Sequence, residues 1–350
     1  MKRCLLLGAM ALLIGSTACE TITPEVTPCP EGVPATLSLS IATDQTKSTV
    51  SQTQEQDNKI VTLDVFVFRN TAASASDHYA LDVHKRFQGN SLNDLTLTCS
   101  TGPKIICVLA NAHTDNFKGI TNLDDFREQT ANLKTEALGN FTMYGETSME
   151  LGLSGEASVT IRRLVAKIQV SGIKTRFAGT PYEGMTLSNV KLYVTNAHAA
   201  KIIYNNQNPA TPIILNQGSL SLTDMEGFAE EGLLYDTLTG TINDTGYSTA
   251  HYFYCYENIT QNQDACSKLV LQADLNGTTY YYPVPINQTD YGYVAANGHY
   301  GIQRNTAYSI GITVTGQGSI SPDEPLVQGS LELSLTIENW ITTPHFDKEF

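Results

Sequence analysis

Three things that would narrow function quickly are scarce in this chain: basic charge, tryptophan, and titratable side chains at catalytic spacing. Lysine and arginine number 21 against 35 aspartates and glutamates, a formal net charge of −14. Such an excess of negative charge excludes a continuous basic face for polyphosphates, so no nucleic-acid partner is expected. There is no Gly-x-Ser-x-Gly elbow, and the histidines at 78, 84, 113, 198, 251, 299 and 345 never recur at the one-turn spacing that seats zinc. Asp124 and Asp125 are adjacent, so on a helix they diverge and cannot flank one scissile bond. Glu230-Glu231 is explained by a solvated turn, and Gly316-Gln317-Gly318-Ser319 lacks the lysine of a phosphate loop. The expectation is a protein that is not an enzyme and uses no cofactor or metal.

Long apolar runs are also missing, with one exception. Leu5 to Ile14 follows Lys2 and Arg3 and leads to Ser16-Thr17-Ala18-Cys19. A run of about ten residues is too short to cross about 30 Å of hydrocarbon, and a basic start, an apolar core and small residues before a cysteine describe an export leader. Residues 1–18 are therefore expected to be removed and Cys19 to carry lipid. The outer membrane is then the expected first location. Of the seven cysteines, Cys4 lies in the leader and Cys19 is used by the lipid. The remaining five cannot all pair within the chain. Cys255 and Cys266, flanking a polar segment, are the candidate disulfide. Cys107, within Ile105 to Leu109, reads as a small buried hydrophobe.

What is abundant is strand pattern. Residues 19–35, rich in Thr, Pro and Glu, read as a tether. Leu37, Leu39 and Ile41 then alternate with serines and precede a polar stretch, Ala42 to Asn58, that contains one lysine, Lys47. Ile60 to Phe68 has apolar groups on both faces and reads as a central strand. Further strands are expected at Tyr79–Phe87, Leu92–Cys99 and Lys104–Ala110. Asn122 caps a short helix, with Asp125 at its third position and Leu123, Phe126 and Leu133 on one side. Phe141–Gly145, Glu156–Ile161 and Arg162–Val170 return to strand, the last with Leu164, Ala166, Ile168 and Val170 inward and Lys167 and Gln169 in water. In the second half, Asn276-Gly277 between two alternating runs is the strongest hairpin signal. Tyr308–Val314 and Leu331–Ile337 are the last clear strands. The 17 tyrosines, clustered around Tyr280-Tyr281-Tyr282, fit sheet packing better than a binding platform. Polar turns between short strands argue for an all-β chain of two antiparallel β-sandwiches with few short helices, residues 36–157 and 158–350.

These residues together resemble a known family, the fimbrillins, the major fimbrial subunits and related proteins of Bacteroides-type bacteria. The resemblance covers nearly the whole chain. It is carried by the lipoprotein leader, Thr36 to Ile41, Val61 to Phe68, Phe141 to Gly145, Arg163-Leu164-Val165-Ala166-Lys167, Gly301 to Thr306 leading into Tyr308 to Val314, and Leu331 to Trp340. It implies two transthyretin-like sandwiches and a maturation step. A trypsin-like surface protease would cut after the first strand, which is then removed. The groove left behind would be filled by a C-terminal strand of another fimbrial subunit. On this chain the removable strand would carry Leu37, Leu39 and Ile41. The donor would carry Leu331, Leu333, Leu335 and Ile337, with Phe346 and Phe350 beyond. The cut would fall after Lys47, leaving Ser48 first. The family pattern has arginine there, yet this chain has none between Arg3 and Arg69, and Lys59 is the other basic option. Alternatives from the same residues are an uncut membrane anchor, a tip or accessory adhesin binding a host protein or glycan through loops such as Thr71–Asp77 and Asn205–Pro212, and a non-polymerising glycan-binding lipoprotein.

Overall fold

The computed structural model describes residues 32–43, 59–71, 78–113, 117–137, 140–205, 207–228, 233–289, 291, 298–324, 326, 329–339 and 345–346. Seven main strands build the first half: β1 (Pro34–Thr43), β2 (Thr62–Arg69), β3 (Leu81–Gln88), β4 (Thr96–Ser100), β5 (Gly102–Ala110), β6 (Met143–Leu151) and β7 (Ser154–Arg163). They form one continuous sheet in the order β3-β2-β5-β6-β7-β1-β4. This sheet folds over between β6 and β7, where pairing is confined to Met143 opposite Arg163 and Tyr144 opposite Arg162. The result is two layers, β3-β2-β5-β6 and β7-β1-β4, with a shared core. Leu63, Val65, Val67, Ile106 and Val108 from one layer meet Leu37, Leu97, Val159 and Ile161 from the other. Gly145 permits the close crossing at the fold, because a Cβ there would lie 2.1 Å from the Thr160 carbonyl oxygen.

The second half contributes β8 (Val165–Thr175), β9 (Leu187–Thr195), β10 (Tyr235–Thr237), β11 (His251–Tyr256), β12 (Lys268–Leu275), β13 (Thr278–Pro285), β14 (Thr306–Val314) and β15 (Leu331–Asn339). Its two layers are β11-β8-β14-β15 and β10-β9-β12-β13. The hairpin between β12 and β13 is the expected one, with Asn276 at φ 51° and Gly277 at φ 76°, both in the region a type I′ turn needs. Alternation on β14 buries Tyr308, Ile310, Ile312 and Val314 completely or nearly so. Helix α1 (Leu123–Arg127) is capped as expected, with the Asp125 amide donating to Asn122 Oδ1 at 2.8 Å.

The two sandwiches share a continuous apolar contact. Phe66, Phe68, Leu123, Phe126 and Phe141 of the first half join the core of the second. Phe141 packs on Tyr254 with ring centroids 4.5 Å apart, and a short ladder pairs Thr130–Asn132 with Ala200–Ile202. Glu136 is buried in this seam. Its carboxylate accepts from the Thr142 amide at 2.8 Å and from the Tyr256 hydroxyl at 2.8 Å. Burial pushes its pKa up against those two donors.

Several expectations need correction. The sheets are not wholly antiparallel: β1 runs parallel to β7 and β8 parallel to β14. A boundary at residue 158 would cut β7, and the change of sandwich falls instead at Leu164, between β7 and β8. Strand β1 begins at Pro34, two residues before the expected domain edge. Leu92 belongs to a 3₁₀ turn, Gly89–Asn93, rather than to a strand. Lys167 is not in water; it is 5% exposed, with Nζ 4.5 Å from the centroid of the Tyr252 ring. The aromatic face offsets the burial of its charge.

Candidate functional site

The site is a strand in the middle of its layer. β1 pairs with β7 from Thr36 opposite Ser154 to Thr43 opposite Ile161, and with β4 from Pro34 opposite Ser100 to Ser38 opposite Thr96. The alternation read from the sequence sets its orientation: Ala35 and Leu37 are buried, while Thr36 and Ser40 are exposed. Leu39 and Ile41 are half-buried against the same core. Additional backbone bonds seal its margins, from Thr36 N–H to the Leu153 carbonyl at 3.0 Å and from Leu39 N–H to the Leu95 carbonyl at 3.1 Å. In the facing layer lie Val65 and Val108, and the flanking strands add Leu97 and Val159 to the same core. Taking β1 away would leave β7 and β4 with unpaired backbone groups along a groove floored by apolar side chains. Such a groove has the apolar floor and backbone hydrogen-bonding groups that one extended segment would match.

The expected donor segment occupies the opposite kind of position. Among the described residues β15 is an edge strand, paired with β14 alone from Thr306 opposite Asn339 to Val314 opposite Leu331. Leu331, Leu333, Leu335 and Ile337 face the core but are only half-buried, and Glu332, Ser334 and Thr336 face out. A cavity of about 470 Å³ lies on that outer face between Ser171, Gly172, Tyr247, Gly311 and Ser334, so β15 forms one of its walls. Beyond β15 the backbone of His345–Phe346 runs parallel to Lys59–Ile60 of the first sandwich. The tail is thus paired within its own chain, in a ladder that includes the second candidate cleavage residue, Lys59. No sequence signal foretold this pairing, because a two-residue parallel ladder has no local pattern. Cys19, Lys47, Ser48 and Phe350 lie outside the described residues.

The candidate disulfide is not formed. Cys255 and Cys266 are both free and buried, and they sit on segments of opposite layers, β11 and the entry to β12, rather than on one hairpin. The Cys266 thiol donates to the Gln263 carbonyl at 3.2 Å. Burial pushes the Cys255 thiol up to about 12 and the Cys266 thiol up to about 11, so both are protonated and unreactive at neutral pH. Of the clustered tyrosines, Tyr282 is fully buried, its hydroxyl donating to the Gly316 carbonyl at 3.0 Å, while Tyr280 and Tyr281 are half-buried. Among the described residues no group of three or more histidine, cysteine or acidic side chains is placed to hold a metal.

Known proteins share the sequence pattern and fold of this chain. Residues 35–222 match the family model for the major fimbrial subunit protein (FimA), and residues 253–340 match that for the FimA4 pilin C-terminal domain. The major fimbrium subunit FimC of Porphyromonas gingivalis is 26% identical over 360 residues, covering 99% of this chain and 71% of the relative. A fimbrilin from Porphyromonas gingivalis W83 shares the fold with a TM-score of 0.60 at 16% identity, over 88% of this chain and 98% of that one. A candidate cell adhesion protein of Parabacteroides distasonis superposes with a TM-score of 0.63 at 19% identity, over 89% and 98% of the two chains. With more than half of its length matched by the first family model alone, the chain belongs to the major fimbrial subunit (FimA) family of cell-surface fimbrial proteins.

Proposed function

We propose that this protein is a structural fimbrial subunit that is exported as a lipoprotein through Cys19 and reaches the outer membrane in that form. A trypsin-like protease then cuts it after Lys47, and it polymerises by exchanging β1 for the C-terminal strand of another subunit. The observation that carries this reading is the position of β1. It is the central strand of a three-stranded layer, so its departure creates a groove closed on both sides, and the polar segment 44–58 follows it immediately. An internal strand followed by an uncut loop is held by its neighbours; once the loop is cut it becomes a separate peptide. Its hold then rests on two fully buried side chains and one ladder on each side.

The placement of β15 supports the donor role. Leaving an edge costs one ladder rather than two, and the inward groups it withdraws are only half-buried. Its first residues lie at the end of the second sandwich remote from the first, where the Thr315 amide bonds the Ser330 carbonyl at 3.0 Å. Its last residues approach the seam, since Asn339 is opposite Thr306 and the neighbouring Asn305 amide bonds Val165 at 3.0 Å. Peeling from the tail towards Ser330 therefore swings a one-faced segment away from the far end of the subunit, where the next subunit's groove can receive it.

Replacing Lys47 with Gln tests the reading. The variant is expected to fold and reach the surface with β1 in place, and to form no polymer. Normal fimbriae built from uncut Lys47→Gln subunits would reject it. Deleting residues 341–350 is expected to give folded subunits with shortened polymers, and polymers of ordinary length would remove the tail from the donor.

A further inference from the structure

Between Arg3 and Arg69 the chain has two basic residues, Lys47 and Lys59, so a trypsin-like protease meets two candidate bonds in that stretch. Their surroundings differ. Lys47 belongs to a polar run, whereas the residue after Lys59 is Ile60, fully buried in the core of the first sandwich. A trypsin-like enzyme must seat the carbonyl oxygen of the scissile bond in its oxyanion hole. At Lys59 that oxygen is already engaged. The buried side chain of Asn111 donates from Nδ2 to the Lys59 carbonyl at 2.7 Å, and its Oδ1 accepts from the Val61 amide at 2.8 Å. One side-chain amide thus satisfies the backbone of residues 59–61 as a neighbouring strand would.

Asn111 is itself fixed from several directions. It follows the last residue of β5 at φ 57°, a left-handed conformation that asparagine tolerates better than most residues with a Cβ. Its amide donates to the Thr62 carbonyl at 2.9 Å, and its Nδ2 also reaches the Phe141 carbonyl at 3.2 Å. A second cover lies over the same bond, the backbone ladder from Lys59–Ile60 to His345–Phe346. Cutting there would also place a new ammonium group on Ile60, within an apolar core where an unpaired charge is costly.

We propose that Asn111 is a positioning residue for maturation: by holding the Lys59 carbonyl it hides the Lys59–Ile60 bond and leaves Lys47 as the bond a trypsin-like protease cuts, with the tail ladder as a second cover. The role in maturation rests on the cleavage reading above; the shielding itself does not. Cutting after Lys59 requires residues 59–61 to open first, so its rate follows the population of that open state. Removing both Asn111 side-chain bonds to the segment raises that population by about tenfold or more.

The test is limited trypsin digestion of the full-length chain carrying Cys19→Ser, under native conditions and read by intact mass, so that its result does not depend on lipidation or polymerisation. The parent is expected to accumulate chains beginning at Ser48, with no early product beginning at Ile60. Asn111→Gly keeps the left-handed backbone and removes the side chain. It is expected to speed release of the Ile60 product about tenfold, while cleavage after Lys174, exposed on the second sandwich, is unchanged. Deleting residues 341–350 is expected to speed the Ile60 product by a smaller factor, and an unchanged rate there would remove the tail from the cover. Parent chains cut after Lys59 as fast as after Lys47 would overturn the shielding without any variant. An Asn111→Gly chain with the parent's rate after Lys59, or with equal acceleration after Lys59 and Lys174, would overturn the assignment to Asn111. Resistance at Lys47 together with selective acceleration at Lys59 in Asn111→Gly would count against the Lys47 reading alone.

Discussion

The two sandwiches differ in which strand each can spare. The first is interrupted in its interior: β1 lies between β7 and β4, and the next main strand, β2, is in the other layer. The second is complete without its last strand, since β15 adds one ladder at an edge and buries no side chain of Leu331, Leu333, Leu335 or Ile337 fully. Loss of an internal strand creates a site, whereas loss of an edge strand creates a ligand. Under the proposed exchange, a chain that holds one of each would be stable as a monomer and competent to polymerise, with the covalent link between β1 and β2 deciding which.

That contrast can be broken by substitution in the uncut chain, read by urea unfolding. Leu37→Ala in β1 is expected to cost about 3 kcal/mol, because a fully buried leucine is truncated beneath two flanking strands. Gly145→Ala, at the fold between the layers that β1 helps close, is expected to cost about 2 kcal/mol, since the added Cβ meets backbone rather than a movable side chain. Leu333→Ala in β15 is expected to cost only about 1 kcal/mol, in keeping with a half-buried edge position. Equal costs for Leu37→Ala and Leu333→Ala would dissolve the distinction between the strands.

The smallest expected effect concerns the seam that keeps both sandwiches in one body. Glu136 has a raised pKa, so above the ordinary value of 4.5 the folded chain holds its proton more tightly than the unfolded chain. Its contribution to stability therefore falls as pH rises from about 4.5 through the folded value. Glu136→Gln, which has nothing to ionise, is expected to lose less stability than the parent over that interval. Parallel pH profiles for the two proteins would show that the carboxyl is not titrating in the seam.

Much of this architecture was legible because it is local. Alternation placed β1, β14 and β15, the Asn122 cap placed α1, and Asn276-Gly277 placed the β12–β13 hairpin. What escaped was non-local. The parallel pairing of β1 with β7 joins residues more than a hundred positions apart and leaves no mark on either strand. The same is true of the tail against Lys59–Ile60, and of Lys167, whose alternation pointed to water while Tyr252 on a neighbouring strand covered it. Cys255 and Cys266 misled because nearness in sequence suggested a hairpin where the chain changes layers. The Arg69, Asp82 and Lys104 ion-pair cluster was invisible for a related reason, since three isolated charges meet only when β2, β3 and β5 lie side by side.

The central claim is that β1 does not belong to the mature polymer. Intact-mass and N-terminal analysis of subunits sheared from cells measures this directly. The account expects chains that begin at Ser48 and contain no peptide spanning Leu37 to Ile41. Subunits that begin at lipidated Cys19 within long fimbriae, with that peptide present in one copy per subunit, would contradict it.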